Sequence, residues 1–132
     1  MRWICMTAAC FLGGAAWAAE PDANAGEWYF ARYCGACHGM NAQGDGPMQE
    51  ILTVRAPDLT HLSAGNDGVF PVARVVAQID GRDPMLAHGG EMPVFGDLFS
   101  FKDASMKSET GQPIITAQPI ADLVAWLEEI QR

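Results

Sequence analysis

The stretch Cys34-Gly35-Ala36-Cys37-His38 decides what this chain of 132 residues binds and how it folds. Its spacing, Cys-x-x-Cys-His, is the one at which a protein takes up haem covalently. Each thiol adds across one vinyl group of the porphyrin, and the histidine that follows directly ligates the iron from below the ring. The motif therefore predicts one covalent haem c, attached through Cys34 and Cys37, with His38 as an axial ligand of the iron.

Two other uses of a Cys-x-x-Cys pair compete with this interpretation. A dithiol redox pair is expected at the start of a helix that follows a strand, but here the pair closes a predicted helix and no Val/Ile-rich strand precedes it. A structural zinc site needs two further ligands, which His38, His61, His88 or acidic residues would have to supply without paired spacing. The sequence context fits neither use as well as it fits haem attachment. The haem-free dithiol oxidoreductase and the zinc site are kept as alternatives.

The first nineteen residues predict a secretory signal peptide. Met1-Arg2 gives a basic start, the run from Trp3 to Ala16 is apolar, and Ala16-Trp17-Ala18 has the small residues that a signal peptidase accepts. The run is shorter than the ~20 residues that span a bilayer, although an uncleaved anchor remains an alternative. We therefore expect a signal peptide over 1–19, export to the periplasm, and one haem domain over 20–132 with no membrane span.

The expected mature chain is strongly acidic. The eight Lys and Arg residues include Arg2 of the predicted leader, so seven remain against sixteen Asp and Glu residues, and the formal charge is −9. Such a charge repels nucleic acid and anionic lipid and steers the protein toward basic surfaces. The alternative explanation of this negative charge is that it only keeps the protein soluble. We expect redox partner proteins with a basic docking surface and no nucleic acid.

Three segments have helical patterns, and no run alternates clearly enough to predict a sheet. Asn24-x-x-Glu27 predicts a capping box for a helix that runs to about His38. A second helix lies between Pro71 and Asp80-Gly81. A third begins around Pro119. The apolar stripes of the second and third helices are Val72, Val76 and Ile79, and Ile120, Leu123, Val124, Leu127 and Ile130.

Together these features resemble the class I c-type cytochromes, the family of small mono-haem cytochromes c. That family has Gly-x-x-x-Phe on its first helix, the haem motif at the end of that helix, a Pro-x-Leu loop, a methionine ligand in a later loop, and an aromatic residue on its last helix. The corresponding residues here are Gly26 and Phe30, Cys34 to His38, Pro57 and Leu59, Met92 before Pro93, and Trp126. The resemblance implies an all-α cytochrome c fold of three main helices and loops wrapped around one covalently bound haem.

The resemblance also assigns roles to single residues. It implies that Met92 is the second axial ligand of the iron, and Pro93 favours an extended backbone at that methionine. His88 is the main competing ligand, and the other competitors are Met40, Met48, Met85, Met106 and His61. The carbonyl of Pro57 is implied to accept the ring N–H of His38, which would orient the imidazole. Gly26 is implied to let the terminal helices approach closely, with Trp126 across their contact.

Other residues have two interpretations each. Arg55 and Arg82 are candidates to pair with a haem propionate, as guanidinium groups do well, or are solvated surface side chains. Trp28 and Tyr33 could edge the haem or serve packing. The segment from Ser100 to Gln118 is longer than in the simplest family members, and is either a partner-docking element or a flexible insertion.

Ligation by His38 and Met92 would leave the iron without a vacant position, so its chemistry would be outer-sphere transfer of one electron. We therefore expect a periplasmic one-electron carrier, or the electron-transfer subunit of an oxidoreductase, and not an enzyme in its own right. The alternative is a haem protein with an open or displaceable sixth position, which binds small ligands or supports peroxidase-like chemistry. Binding of carbon monoxide to the ferrous form distinguishes the two.

Overall fold

The computed structural model describes residues 19–82, 92–99 and 103–132. All but the last residue of the predicted signal peptide lies outside these ranges, as do His88 and Lys102. The described chain forms four α-helices: α1 (Ala23–Tyr33), α2 (Gly35–His38), α3 (Val72–Asp80) and α4 (Gln118–Glu129). Short 3₁₀ helices lie at Pro47–Glu50, Leu59–His61 and Ala64–Asn66, and strands β1 (Asp103–Lys107) and β2 (Pro113–Ala117) pair as an antiparallel hairpin.

Helix α1 begins one residue before the predicted capping residue. Its N-cap is Asp22, whose carboxylate accepts hydrogen bonds from the backbone N–H groups of Asn24 and Ala25 at 2.9 and 3.5 Å. Asp22 is itself held, because its N–H donates to the buried carboxylate of Asp122 at 2.9 Å. The predicted Asn24 capping box is therefore wrong, since an equally good capping residue precedes it and is fixed by a distant contact.

The helix that carries the haem motif is interrupted at Cys34. This residue has a φ of −113°, far from the helical value of about −63°, so α1 ends at Tyr33 and α2 begins at Gly35. The hydrogen bonds from Cys34 N–H to Phe30 and from His38 N–H to Cys34 continue across the break, at 2.8 and 2.9 Å. The predicted single helix to His38 is therefore two helices joined by a turn.

The other helices lie where their patterns predicted them. Helix α3 follows Pro71 and ends at Gly81, whose φ of 84° is the left-handed conformation that glycine adopts without strain. Its buried residues are Val72, Val75, Val76 and Ile79. Helix α4 begins at Gln118, and most of its residues from Ile120 to Leu127 are buried.

Helices α1 and α4 make the central contact of the fold. A Cβ at Gly26 would overlap the backbone carbonyl of Asp122, so the two helices approach to a distance that only glycine permits here. One turn further on, the rings of Phe30 and Trp126 lie 4.6 Å apart between centroids. The close helix approach and the packing of Trp126 across it, both implied by the family resemblance, are confirmed.

The hairpin occupies most of the segment from Ser100 to Gln118 and was not predicted. Strand β1 pairs in register with β2, from Asp103 opposite Ala117 to Lys107 opposite Pro113. The inner residues Ala104 and Thr116 are buried. Over residues 103–117 this segment is therefore ordered structure and not an irregular insertion.

Candidate haem-binding site

A cavity of about 450 Å³ opens between the helices and the loops. Its walls are mainly apolar and come from several helices: Phe30 from α1, Val75 and Ile79 from α3, Leu123 and Leu127 from α4. The five residues singled out by sequence also line this cavity, namely Cys34, Cys37, His38, Pro57 and Met92. Val54, Arg55 and Pro93 line it too and are exposed, so the cavity reaches solvent at this edge.

The two thiols are free and half-buried at the wall of the cavity. Burial, and secondarily the neighbouring Cys37, raises the pKa of Cys34 to about 11. The thiol of Cys34 is therefore protonated at neutral pH in the folded chain, so its nucleophilic form is scarce there. The two sulfur atoms lie one helical turn apart in the sequence of the motif, and both line the same space.

His38 is buried and its ring is fixed by one contact. Its Nδ1 lies 3.2 Å from the carbonyl oxygen of Pro57. Because a carbonyl oxygen can only accept, Nδ1 carries the proton and Nε2 keeps a free lone pair. Burial lowers the pKa of His38, and the hydrogen bond to Pro57 opposes that shift only in part. The imidazole is therefore neutral at pH 7, which is the form that binds iron.

The loop that contains Pro57 is tied to the haem motif by Gln49. The side-chain amide of Gln49 donates to the carbonyls of Cys37 and Ala56 at 3.2 and 3.1 Å. One side chain thus fixes the distance between the end of the motif and the loop that accepts the N–H of His38. Nothing in the sequence pattern marks Gln49 for this role.

Met92 lines the cavity and packs against the core with its side chain half-buried. The other methionines of the described chain, Met40, Met48 and Met106, do not line it. His61 does not line it either: its ring is exposed and contacts the Asp58 carboxylate at 3.2 Å. The competing candidates His88 and Met85 lie outside the described residues.

Two arginines line the cavity, and only one was a candidate from sequence. Arg55 was proposed and lies at the exposed edge, while Arg74 on α3 was not singled out. Arg82, the second candidate, is not a lining residue. Its guanidinium binds the Asp80 carboxylate at 2.7 Å and the carbonyl of Ile115 at 2.6 Å, so it holds the hairpin instead.

Of the two aromatic candidates, Tyr33 and Trp28, only one lines the cavity. Tyr33 lines the cavity and makes edge contacts with Phe95 and Phe99, at centroid distances of 6.4 and 5.3 Å. Trp28 is 60% exposed and does not line the cavity. No three His, Cys, Asp or Glu side chains of the described residues come together as a metal-binding group, which is what a structural zinc site would require.

The sequence profile of the Cytochrome c family matches residues 23–131. The chain therefore belongs to the cytochrome c family, and its mostly helical architecture is the cytochrome c fold. No significant match was found among curated proteins or among solved structures. Members of this family bind covalent haem c with its iron and are typically found outside the cytoplasm. Membership of the family identifies this chain as a haem-based electron carrier. Over the ranges that the structure describes, every helix is too short or too polar to cross a membrane.

The residues at the cavity fit that group. Two thiols, an imidazole with a free Nε2 and a thioether face an apolar space, which is the donor set of a haem iron with two protein ligands and two covalent links. The volume of the cavity lies in the range of cofactor sites. Its walls bury apolar surface on several sides, and two guanidinium groups are available for acidic substituents.

Proposed function

We propose that the chain is a periplasmic one-electron carrier, or the electron-entry subunit of a larger oxidoreductase, that uses one covalent haem c. In this proposal Cys34 and Cys37 form the thioether links, and His38 and Met92 are the axial ligands. The observation that carries it is the single cavity lined by all four side chains. The bound group would supply an iron that gains and loses one electron.

The ligand residues support the electron-transfer role by their chemistry. The hydrogen bond from His38 Nδ1 to Pro57 keeps Nε2 deprotonated and directs the ring. A methionine thioether is a soft, neutral donor, so it favours the ferrous state and raises the potential. With both axial positions taken, the site would exclude substrates from the metal and leave only electron exchange.

The exposed edge of the cavity is where electrons would enter and leave. Val54 is 48% exposed and Arg55 and Pro93 are also accessible, while the opposite walls are buried core. The net charge of −9 on residues 20–132 favours a basic surface on the redox partner. If charge steers docking, electron transfer with a basic partner slows as ionic strength rises.

Visible spectra of the mature protein in both redox states test this proposal. We expect a haem band that survives a denaturing gel, a far-red band of methionine bound to ferric iron, and no binding of carbon monoxide to the ferrous form at neutral pH. In Met92→Ala the far-red band disappears and carbon monoxide binds. Met48→Ala is the matched control, because Met48 does not line the cavity.

Three results would overturn parts of the proposal. Carbon monoxide binding by the unmodified protein would favour the haem protein with an open sixth position. A colourless protein that reduces disulfides would favour the haem-free dithiol oxidoreductase. If the far-red band persists in Met92→Ala as well as in Met48→Ala, the sixth ligand is a residue other than these two.

A further inference from the structure

The segment that begins with Met92 is attached to the end of helix α3. The N–H of Phe95 donates to the carbonyl of Ile79 at 2.7 Å. Gly96 lies so close to Asp80 that a Cβ there would overlap the carbonyl and carboxylate oxygens of Asp80. Residues 92–99 therefore follow the position of the last turn of α3.

The same carboxylate binds the hairpin. Asp80 Oδ2 lies 2.7 Å from Arg82 Nε and accepts from the hydroxyl of Thr116 at 3.4 Å. Arg82 Nη1 donates to the carbonyl of Ile115 at 2.6 Å. The Asp80 side chain is only 10% exposed and that of Arg82 is 57% exposed, so solvent screens this ion pair from the Arg82 side. Asp80 and Arg82 thus join α3, β2 and the segment 92–99 at one point.

The hairpin is also fixed at the other end of α3. Its turn carries Glu109, whose carboxylate accepts from the N–H of Ala73 at 3.1 Å. Ala73 lies in the first turn of α3, where Pro71 at the N-cap has no side-chain oxygen to offer. The hairpin therefore spans α3 from its first turn to its last, and near its base it contacts Asp80 and Arg82.

From these contacts we propose that Asp80 and Arg82 are positioning residues for Met92, and that they hold residues 92–99 against the cavity by tying them to the hairpin. The inference rests on the proposed function, in which the Met92 sulfur ligates the iron. Residues 92–99 contain no regular secondary structure, and the Asp80 junction is one of their attachments to the fold. Weakening it raises the fraction of molecules in which the sulfur is displaced.

Imidazole titration of the ferric, mature holoprotein measures that fraction, because imidazole binds iron only where the thioether has left it. Arg82→Gln removes the charge and the ion pair. We expect its dissociation constant for imidazole to fall about fivefold, equivalent to about 1 kcal/mol. Arg82→Lys keeps the charge and restores part of the difference. Arg32→Gln removes the same charge from the exposed side of α1 and leaves the constant unchanged.

Gly96→Ala tests the junction from its other side. The new methyl group would displace the segment from Asp80, so we expect imidazole to bind more tightly in this variant as well. Thermal unfolding of each variant is recorded in parallel. A lower Tm for Arg82→Gln with an unchanged dissociation constant for imidazole would give Arg82 a purely structural role and overturn the inference.

The failure of the inference is distinguishable from the failure of the proposed function. If the unmodified protein lacks the far-red band and binds imidazole as tightly as Met92→Ala does, methionine ligation is wrong and the inference falls with it. If the unmodified protein has the band and Arg82→Gln binds imidazole no more tightly, the ligation stands and only the positioning role is overturned.

Discussion

His38 and Pro57 are joined by a hydrogen bond of 3.2 Å between the ring Nδ1 and the backbone carbonyl. The bond joins the haem motif to a loop nineteen positions further along the chain, and a carbonyl cannot be removed by substitution. What can be changed is the side chain that holds this loop in place. Gln49 does so through the carbonyls of Cys37 and Ala56.

Gln49→Ala removes both of these hydrogen bonds from a half-buried position. We expect the free energy of unfolding of the holoprotein to fall by about 1–3 kcal/mol. The midpoint potential is expected to rise, because a looser contact with Pro57 makes the imidazole less basic and favours the ferric state less. Urea unfolding and redox titration measure the two effects. Gln43→Ala, at an exposed position, is the matched control, and equal behaviour of the two variants would contradict the prediction.

Gly26→Ala tests the approach of α1 to α4. The added methyl group would overlap the backbone carbonyl of Asp122, which cannot swing aside as a side chain can. We expect a loss of at least 1–3 kcal/mol in the free energy of unfolding, the usual cost of overpacking. Gly65→Ala provides the control, since a Cβ there meets no atom within 4 Å. Similar stability of both variants would show that the helices can separate at little cost.

Glu109 gives the protein a pH dependence with a definite sign. The N–H of Ala73, and to a smaller extent Arg74, lower the pKa of this carboxyl below its ordinary value of 4.5. The unfolded chain therefore binds the proton more readily, so the stabilisation is complete above pH 4.5 and is lost as the pH falls through the folded value.

We expect the holoprotein to be more stable than Glu109→Gln at pH 7, and the difference to be smaller at pH 3, which lies below the ordinary pKa of 4.5. Urea unfolding of both proteins at pH 3 and at pH 7 measures this difference. The protonation of other acidic groups affects both proteins equally and cancels in the comparison. A difference that is the same at pH 3 and pH 7 would rule out a role for the charge of Glu109.

Removal of the haem should unfold the chain. The cavity of about 450 Å³ is lined mainly by apolar side chains and reaches solvent, so without the porphyrin these side chains would meet water and their burial would no longer stabilise the fold. In the double variant Cys34→Ala, Cys37→Ala, matured in a competent periplasm, we expect little helical circular dichroism and no cooperative thermal transition. Cys37→Ala alone, with one link kept, is the control. A cooperative transition in the double variant would show that the polypeptide folds by itself.

The helices were predictable to the extent that their own residues define them. Helix α3 lies between Pro71 and Gly81 because proline fixes φ at the start and glycine adopts without strain the left-handed conformation that ends the helix. The start of α1 was not predictable, since the choice of Asp22 over Asn24 depends on Asp122, which lies far away in the chain. The hairpin was not predictable for a similar reason, because β1 and β2 are stabilised by each other and by α3 and α4.

The residues of the site likewise include some that the sequence pattern predicted and some that it did not. The haem motif and Met92 have a recognisable spacing or neighbour, and all of them line the cavity. Arg74 and Gln49 have no such signal, because only the tertiary fold brings an arginine within a helix to the cavity, or a glutamine in a short 3₁₀ turn to the carbonyls of Cys37 and Ala56. Arg82 had two interpretations, a partner of a haem propionate or a solvated surface side chain. Its contact with Ile115 was not predictable, because Ile115 belongs to a strand that the sequence did not predict.

The walls of the cavity are made at different times during synthesis. Leu123 and Leu127 belong to α4, and Gln131 next to that helix binds the carbonyl of Leu59 and the N–H of Ser63, at 2.8 and 2.9 Å. The thiols of the motif are therefore translated well before the wall that will enclose them. Because the chain is not expected to fold without haem, α4 would dock only once the porphyrin is in place, so the thiols stay accessible to the machinery that attaches haem until that step is complete.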